Sequence, residues 1–147
     1  MNKLMWIALA FLSGAFLPIQ AGLNAKLGKA AESPVYASML SFAVGTLGLL
    51  TYILITKQSM SWAGVREAPA HVWLGGLLGA FYVTVIILAF PKLGPGLTFG
   101  LVIAGQMIVS ILLEHFNILV AQQNSISLMK LFGVLLVVAG VIIIRKF

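Results

Sequence analysis

The sequence contains no cysteine and no aspartate, and its only acidic residues are three glutamates. Without cysteine there can be no disulfide framework, thiol redox centre or cysteine-ligated metal site. Charged residues make up 8% of the 147 residues, against roughly 25% in a soluble domain, which excludes a water-soluble globular protein as the leading interpretation. A disordered chain needs the opposite composition. The two histidines and three glutamates are scattered, so we expect neither a metal site nor a cofactor.

Apolar residues are abundant instead, at 61% of the chain. They form five runs of about 20 residues, the length that a helix needs to cross the hydrocarbon core of a bilayer. Such continuous runs predict helices rather than barrel strands, whose side chains alternate in polarity. The predicted helices cover about residues 4–23, 35–56, 71–90, 96–116 and 127–144. Because the connections are short, we predict an all-α polytopic membrane protein in which residues 1–147 form a single bundle.

The positive charges lie between these runs, as residues flanking membrane helices do, rather than on a nucleic-acid-binding face. With five helices, the two termini lie on opposite sides of the membrane. Four Lys or Arg fall on the side of the N-terminus and five on the other: Lys3, Lys57, Arg66 and Lys130 against Lys26, Lys29, Lys92, Arg145 and Lys146. Orientation follows the asymmetry of Lys and Arg between short loops. The near-tie leaves two interpretations open: one early helix sets a single orientation, or the protein inserts both ways and pairs as an antiparallel homodimer.

Small residues recur at helical spacing within the runs, and such residues let membrane helices approach each other closely. The residues predicted to serve helix packing are Gly45, Gly75, Gly79, Gly100, Gly133 and Gly140. This pattern indicates a tightly packed bundle and says little about chemistry.

Polar side chains inside the runs are rarer, and an amide left unpaired in hydrocarbon is costly. The first run carries three of them on one helical face, beside a kink expected at Pro18. Gln106 lies near the centre of the fourth run, so it either bonds to a neighbouring helix or lines a polar cavity. We predict a substrate pathway that comprises Ser13, Gln20, Asn24, Ser41, Tyr82 and Gln106.

Glu114 is the one acid at the edge of an apolar run, because Glu32 and Glu67 lie in loops. We predict that Glu114 serves gating or proton coupling; an interfacial ion pair with Lys130 is the alternative. No acid lies at the centre of any run, which disfavours a proton-coupled exporter of organic cations. No nucleophile, base and acid combine into a catalytic set, so we do not expect an enzyme.

Several motifs resemble those of a known transporter family. They are Pro18-Ile19-Gln20-Ala21-Gly22-Leu23-Asn24 with Leu27, Ser41-Phe42-Ala43-Val44-Gly45-Thr46, Gly75-Gly76-Leu77-Leu78-Gly79-Ala80-Phe81-Tyr82-Val83, Pro91-Lys92-Leu93-Gly94 with Thr98, Gly105-Gln106 and Glu114-His115-Phe116. In order and spacing they resemble the five-helix YdcZ-type branch of the drug/metabolite transporter superfamily over nearly the whole chain. One departure is Glu114-His115-Phe116-Asn117, where the family more often shows Asp followed by His-Phe-Gly.

The resemblance implies an integral, multi-pass protein of the bacterial inner membrane that exports small molecules, in a family with members thought to insert both ways. Together with the charge balance, it predicts a transporter that works by alternating access as an antiparallel homodimer. Its partners would then be a second, inverted copy, membrane lipids and an unidentified small-molecule substrate, with no nucleic acid. A non-transporting scaffold or a subunit of a larger membrane complex is the alternative. In a scaffold, Gln20, Gln106 and Tyr82 would pair in a dry core; in a transporter, they would face a wet cavity.

Overall fold

The computed structural model describes residues 2–147, and every regular element in that range is helical. The five α-helices are α1 (Lys3–Ala30), α2 (Pro34–Thr56), α3 (Trp62–Glu67), α4 (Leu74–His115) and α5 (Leu128–Lys146), and a 3-10 turn covers Ala70–Trp73. The prediction of an all-α protein is confirmed for the described range. Four helical stretches are long and apolar enough to cross a membrane, namely α1, α2, Ala70–His115 and α5.

Helix α4 is interrupted at Gly94, between Pro91 and Pro95. The φ of 75° and ψ of 164° at Gly94 belong to a region that only glycine adopts readily. Pro95 reinforces the break, because it lacks an N–H and excludes helical ψ at the residue before it. The parts before and after Gly94 are each about 20 residues, or about 30 Å, long, which matches the hydrocarbon core. Counting them separately gives the five apolar segments that the sequence predicts.

Helix α1 extends to Ala30, beyond the predicted end near Leu23, because the residues after the apolar run are mostly good helix formers. It ends with Glu32 in the left-handed conformation, at φ 52°, and the Ser33 amide donates to the Gly28 carbonyl at 3.1 Å. This arrangement satisfies the last carbonyls of the helix. The Ser33 hydroxyl then caps α2 by accepting from the Tyr36 amide at 3.3 Å. The predicted loop between the first two helices is therefore a tight turn.

The connection between α2 and α4 is partly helical. It contains α3 and the 3-10 turn, with the Ser61 hydroxyl capping α3 by accepting from the Gly64 amide at 3.1 Å. Trp62 and Trp73 are exposed here, and aromatic residues of this kind concentrate at membrane–water interfaces.

Most large apolar side chains are exposed along the helices; Phe11, for example, is 80% exposed and Leu135 is 64% exposed. Within residues 2–147 no large side chain is fully buried. In water such a surface would aggregate, whereas in a bilayer the lipid tails cover it. The length of the apolar helices and their exposed surface mark an integral membrane protein.

The chain divides into two compact units, the first ending at Phe90 and the second comprising Pro91–Phe147. In the first unit, α1, α2 and the early part of α4 pack where α1 turns into α2. Its buried apolar side chains are those of Ala21, Ala37, Ile86 and Ile87. Away from that end, residues 3–16 and residues 42–56 are exposed throughout. The first unit is therefore closely packed at one end only.

In the second unit, the later part of α4 packs against α5. The contact is close at Gly100, where an added methyl group would lie 2.9 Å from Cγ2 of Val141. The buried apolar residues are Ala104, Ile111 and Val141. The single bundle over residues 1–147 stays a prediction.

Candidate functional site

A groove of about 230 Å³ lies in the first unit, between α1, α2 and the early part of α4. It begins just beyond the closely packed end. Helix α1 contributes Gln20, α4 contributes Val83, and α2 contributes the rest of the lining. The lining residues are Gln20, Ser41, Phe42, Gly45, Thr46, Leu49 and Val83. Two residues predicted for the substrate pathway, Gln20 and Ser41, are thus brought together by the fold.

The small residues of α2 explain why the groove opens at this position. Ala37 is fully buried and lies next to Gly28 of α1, so the helices are in close contact there. One turn further on, Ser41 is half-buried, and after a second turn Gly45 has no atom within 4 Å of the place where a side chain would begin. Small residues at the same four-residue spacing therefore have different surroundings: Ala37 lies where the helices pack, and Gly45 borders open space.

The side chains of Gln20 and Ser41 have no hydrogen-bond partner among residues 2–147. The other serine and threonine hydroxyls of α2 each donate to the carbonyl four residues earlier, at 2.7–2.9 Å; they belong to Ser38, Thr46, Thr51 and Thr56. An unpaired amide or hydroxyl in hydrocarbon is costly. The partners of Gln20 and Ser41 must therefore come from outside the first unit, as water, a ligand or another protein segment.

One interhelical hydrogen bond was not predicted. The hydroxyls of Ser38 and Thr84 lie 2.8 Å apart, and Ser38 is 3% exposed. Each hydroxyl is also 2.8–2.9 Å from a carbonyl of its own helix, so two protons are available for three contacts. In the sequence, Ser38 lies next to the small residue Ala37, and this position on the closely packed face of α2 could have indicated a buried hydroxyl. This bond joins α2 to α4 at the closely packed end of the first unit, just before the groove begins.

The other predicted pathway residues of the first unit do not line the groove. Asn24 is 7% exposed and lies on the packed face of α1. Ser13 is exposed, and its hydroxyl donates to the Ala10 carbonyl at 2.8 Å. Tyr82 is half-buried next to the lining residue Val83. Their roles in a pathway stay predictions.

Gln106 is exposed in the second unit and has no hydrogen-bond partner within residues 2–147. Ser110, one helical turn further on, is exposed and unbonded as well. The two form a short polar stripe on an otherwise apolar helix. Because lipid tails cannot satisfy a carboxamide, this stripe requires a partner outside its own unit.

Glu114 forms an ion pair with Lys130, whose Nζ lies 2.8 Å from Oε2 of the carboxylate. Glu114 is in the last turn of α4 and Lys130 is in the first turn of α5. Each charge is unfavourably placed relative to the dipole of its own helix, so pairing offsets both penalties. Both side chains are partly exposed, at 37% for Glu114 and 23% for Lys130. The sequence analysis gave this ion pair as the alternative to a gating or proton-coupling role for Glu114. The gating or proton-coupling role stays a prediction.

The loop after α4 is fastened to the end of that helix. Gln123 donates from Nε2 to the His115 carbonyl at 2.8 Å, and the Ile126 amide donates to Nδ1 of His115 at 3.3 Å. The Lys130 ammonium also donates to the Asn124 carbonyl at 3.0 Å. The polar loop is thus held by hydrogen bonds at both of its ends.

Asn117 ends α4 in the left-handed conformation, at φ 54°. The amide of Ile118 donates to the Leu113 carbonyl at 2.9 Å, and the amide of Asn117 donates to the Glu114 carbonyl at 3.4 Å. This pattern of two bonds prefers glycine at the left-handed position, and asparagine is the next most tolerant residue. The departure from Gly noted in the sequence is therefore compatible with the same helix ending.

The glycines predicted for helix packing fall into two groups. An added methyl group at Gly100 would collide with Val141, and one at Gly79 would lie 3.6 Å from Phe42. The other four have no atom within 4 Å of such a methyl group: Gly45, Gly75, Gly133 and Gly140. For these four, a role in helix packing stays a prediction. Gly28, which the sequence analysis did not select, makes the closest approach, at 2.7 Å from Ile87.

Comparison with known proteins shows to which family the chain belongs. A family model described as "Putative inner membrane exporter, YdcZ" matches residues 5–143. The chain belongs to the YdcZ family. The "Inner membrane protein YdcZ" of Escherichia coli (strain K12) is 28% identical over 153 residues, covering 99% of each chain. No solved structure matches.

Membership of the YdcZ family confirms the resemblance seen in the motifs and gives the groove a functional setting. The matched range includes the groove, the Gln106 stripe and the Glu114–Lys130 pair. The protein is an integral membrane protein of an exporter family, consistent with a membrane transporter.

Proposed function

We propose that this protein is a small-molecule exporter of the bacterial inner membrane and that it binds its substrate in the groove of the first unit. One observation carries the proposal: Gln20 and Ser41 meet in a groove of about 230 Å³ without a hydrogen-bond partner among residues 2–147. Binding sites combine an apolar lining with a few well-placed polar groups, and this groove has that composition. A dry scaffold core would favour paired polar groups instead.

The proposal includes alternating access by an antiparallel homodimer. Five apolar segments are few to surround a pathway, whereas two inverted copies provide ten segments and the symmetry on which alternating access commonly relies. The four-to-five distribution of flanking positive charges supports insertion in both orientations. The exposed stripe of Gln106 and Ser110 supports a second copy, because an inverted copy would offer the same amide and hydroxyl groups in return.

Transport is tested in proteoliposomes containing the purified protein and a panel of small molecules, with and without a proton gradient. Ser41→Ala should lower the transport rate by about tenfold or more if the groove is the site. Thr51→Val is the matched control, because the Thr51 hydroxyl donates to its own helix and lies outside the groove. Equal transport by Ser41→Ala and the wild type would remove the groove from the pathway. No transport of any compound would refute the proposed function.

Orientation is tested separately with a reporter fused after Phe147, which should signal from both sides of the membrane. Gln58→Lys with Ser59→Lys adds two positive charges to one side without disturbing Ser61, which caps α3. We expect this variant to insert in a single orientation and to lose transport unless an oppositely biased variant is coexpressed. A wild-type C-terminus found on one side only would refute the antiparallel homodimer.

A further inference from the structure

We propose, on the basis of the transport function above, that the groove selects small uncharged molecules that pair a hydrogen-bonding group with an apolar body. The class includes neutral amides and alcohols and excludes organic cations and anions. The inference deepens the proposed function by naming a substrate class, and it rests on what the groove contains and on where the ionisable side chains lie.

The groove has no ionisable residue in its lining. Its polar groups are the Gln20 amide, the Ser41 hydroxyl and the Thr46 hydroxyl, and the last donates its proton to the Phe42 carbonyl at 2.8 Å. A ligand therefore meets donors and acceptors from Gln20 and Ser41, and an acceptor from Thr46. This set complements an amide or a hydroxyl, each of which both donates and accepts.

The acids of this unit are distant from the groove. Glu32 follows the end of α1, which lies about 15 Å along the helix axis from Gln20. Glu67 lies in α3, beyond the end of α2, which is about 22 Å along the axis from Ser41 and about 10 Å from Leu49, the last lining residue of α2. A cation in the groove would thus have no carboxylate partner in its own unit.

Basic residues are equally poor partners for an anion. Lys26 is the nearest along α1, but six residues place it about 9 Å further along and about 120° around the helix from Gln20. Its side chain is exposed, and the lysine lies toward the end of the helix rather than at the groove. An anion held beside Gln20 would therefore remain uncompensated.

The energy balance favours a neutral ligand. Moving an unpaired ion from water into an apolar site carries a large desolvation penalty even after the protein relaxes. The ring of Phe42 can contribute a cation–π contact, but such a contact is too weak to offset that cost. A neutral ligand loses only the hydration of one polar group, which Gln20 and Ser41 replace.

The size of the groove limits the ligand. Its volume of 230 Å³ equals the volume that about eight water molecules occupy in the liquid, at ~30 Å³ each. This volume is below the usual range of about 300–1,000 Å³ for ligand pockets. A molecule with a single ring and one polar substituent has the right dimensions.

Three probes of one shape and different charge test the inference: benzamide, benzamidinium and benzoate. Binding is measured with the full-length protein in nanodiscs at neutral pH, and the signal from empty nanodiscs is subtracted. We expect benzamide to bind at least about tenfold more tightly than either ion. Ser41→Ala and Gln20→Leu should each weaken benzamide binding by about fivefold or more, while Thr51→Val should leave it within about twofold.

Gln20→Glu provides the decisive variant, because it keeps the shape of the side chain and adds the missing carboxylate. It should raise benzamidinium affinity by about tenfold or more and lower that of benzamide. Gln20 is exposed, so the substitution leaves the packing of α1 intact.

Two results would overturn the inference: an ion that binds to the wild type as tightly as benzamide, or no benzamide binding above empty nanodiscs. Neither result decides the proposed function, which depends on the transport panel. Groove-dependent transport of ions alone would overturn the substrate class and leave the exporter standing. A panel with no transport would instead refute the exporter.

Discussion

Gly28→Ala is the sharpest test of how the first unit packs. A methyl group at Gly28 would lie 2.7 Å from Cγ2 of Ile87 and 3.7 Å from Cβ of Ala37. Ile87 is 4% exposed, and its β-branched side chain has little rotameric freedom. The contact can therefore be relieved only by moving α1 away from α4.

The expected magnitude combines two opposing effects. Overpacking of a close contact costs about 1–3 kcal/mol. Replacing glycine by alanine inside a helix stabilises it by about 0.5–1 kcal/mol. We therefore expect a net loss of about 0–2.5 kcal/mol in the free energy of unfolding for Gly28→Ala. Gly14→Ala is the matched control in the same helix, because no atom lies within 4 Å of the added methyl group.

The assay is equilibrium unfolding in mixed micelles with increasing dodecyl sulfate, followed by circular dichroism. The difference between the two variants isolates the steric cost, because the change in helix propensity is common to both. We expect Gly28→Ala to unfold about 1–3 kcal/mol more readily than Gly14→Ala. Equal stability of the two variants would refute the close approach of α1 and α4.

Three further predictions concern the second unit. A double-mutant cycle of Glu114→Gln and Lys130→Met should give a coupling free energy of about 0.5–1 kcal/mol at low salt, as expected for a partly exposed pair, and no measurable coupling would show that the pair does not stabilise the fold. Gly100→Ala should lower the unfolding midpoint through its contact with Val141, whereas Gly105→Ala, which meets no atom within 4 Å, should not; equal midpoints would contradict the packing of α4 on α5. Gln106→Leu should change the unfolding free energy by less than about 1 kcal/mol but reduce transport sharply, and unchanged transport would remove Gln106 from the pathway.

The candidate site was partly predictable. Gln20 and Ser41 could be selected from the sequence because each is a polar side chain inside an apolar run, where an unpaired group is costly. Glu114 and Lys130 could be paired as an alternative because both lie at helix ends on the same side of the predicted bundle. Ser38 was missed, because its role depends on a hydrogen bond to Thr84, which is 46 positions away in the chain.

The membrane setting and helical class followed from composition and run length, because hydrocarbon admits only segments that satisfy their own backbone groups. Gly94 between two prolines marked the break in α4 for equally local reasons, since proline and glycine act on their own backbone. The sequence alone does not show which small residues pack closely against a neighbouring helix. Gly28 lies against Ile87, while Gly45, at the same spacing as Ala37 and Ser41, borders open space. A close contact is a property of two surfaces, and only the tertiary structure decides which surfaces meet and where the groove between them remains.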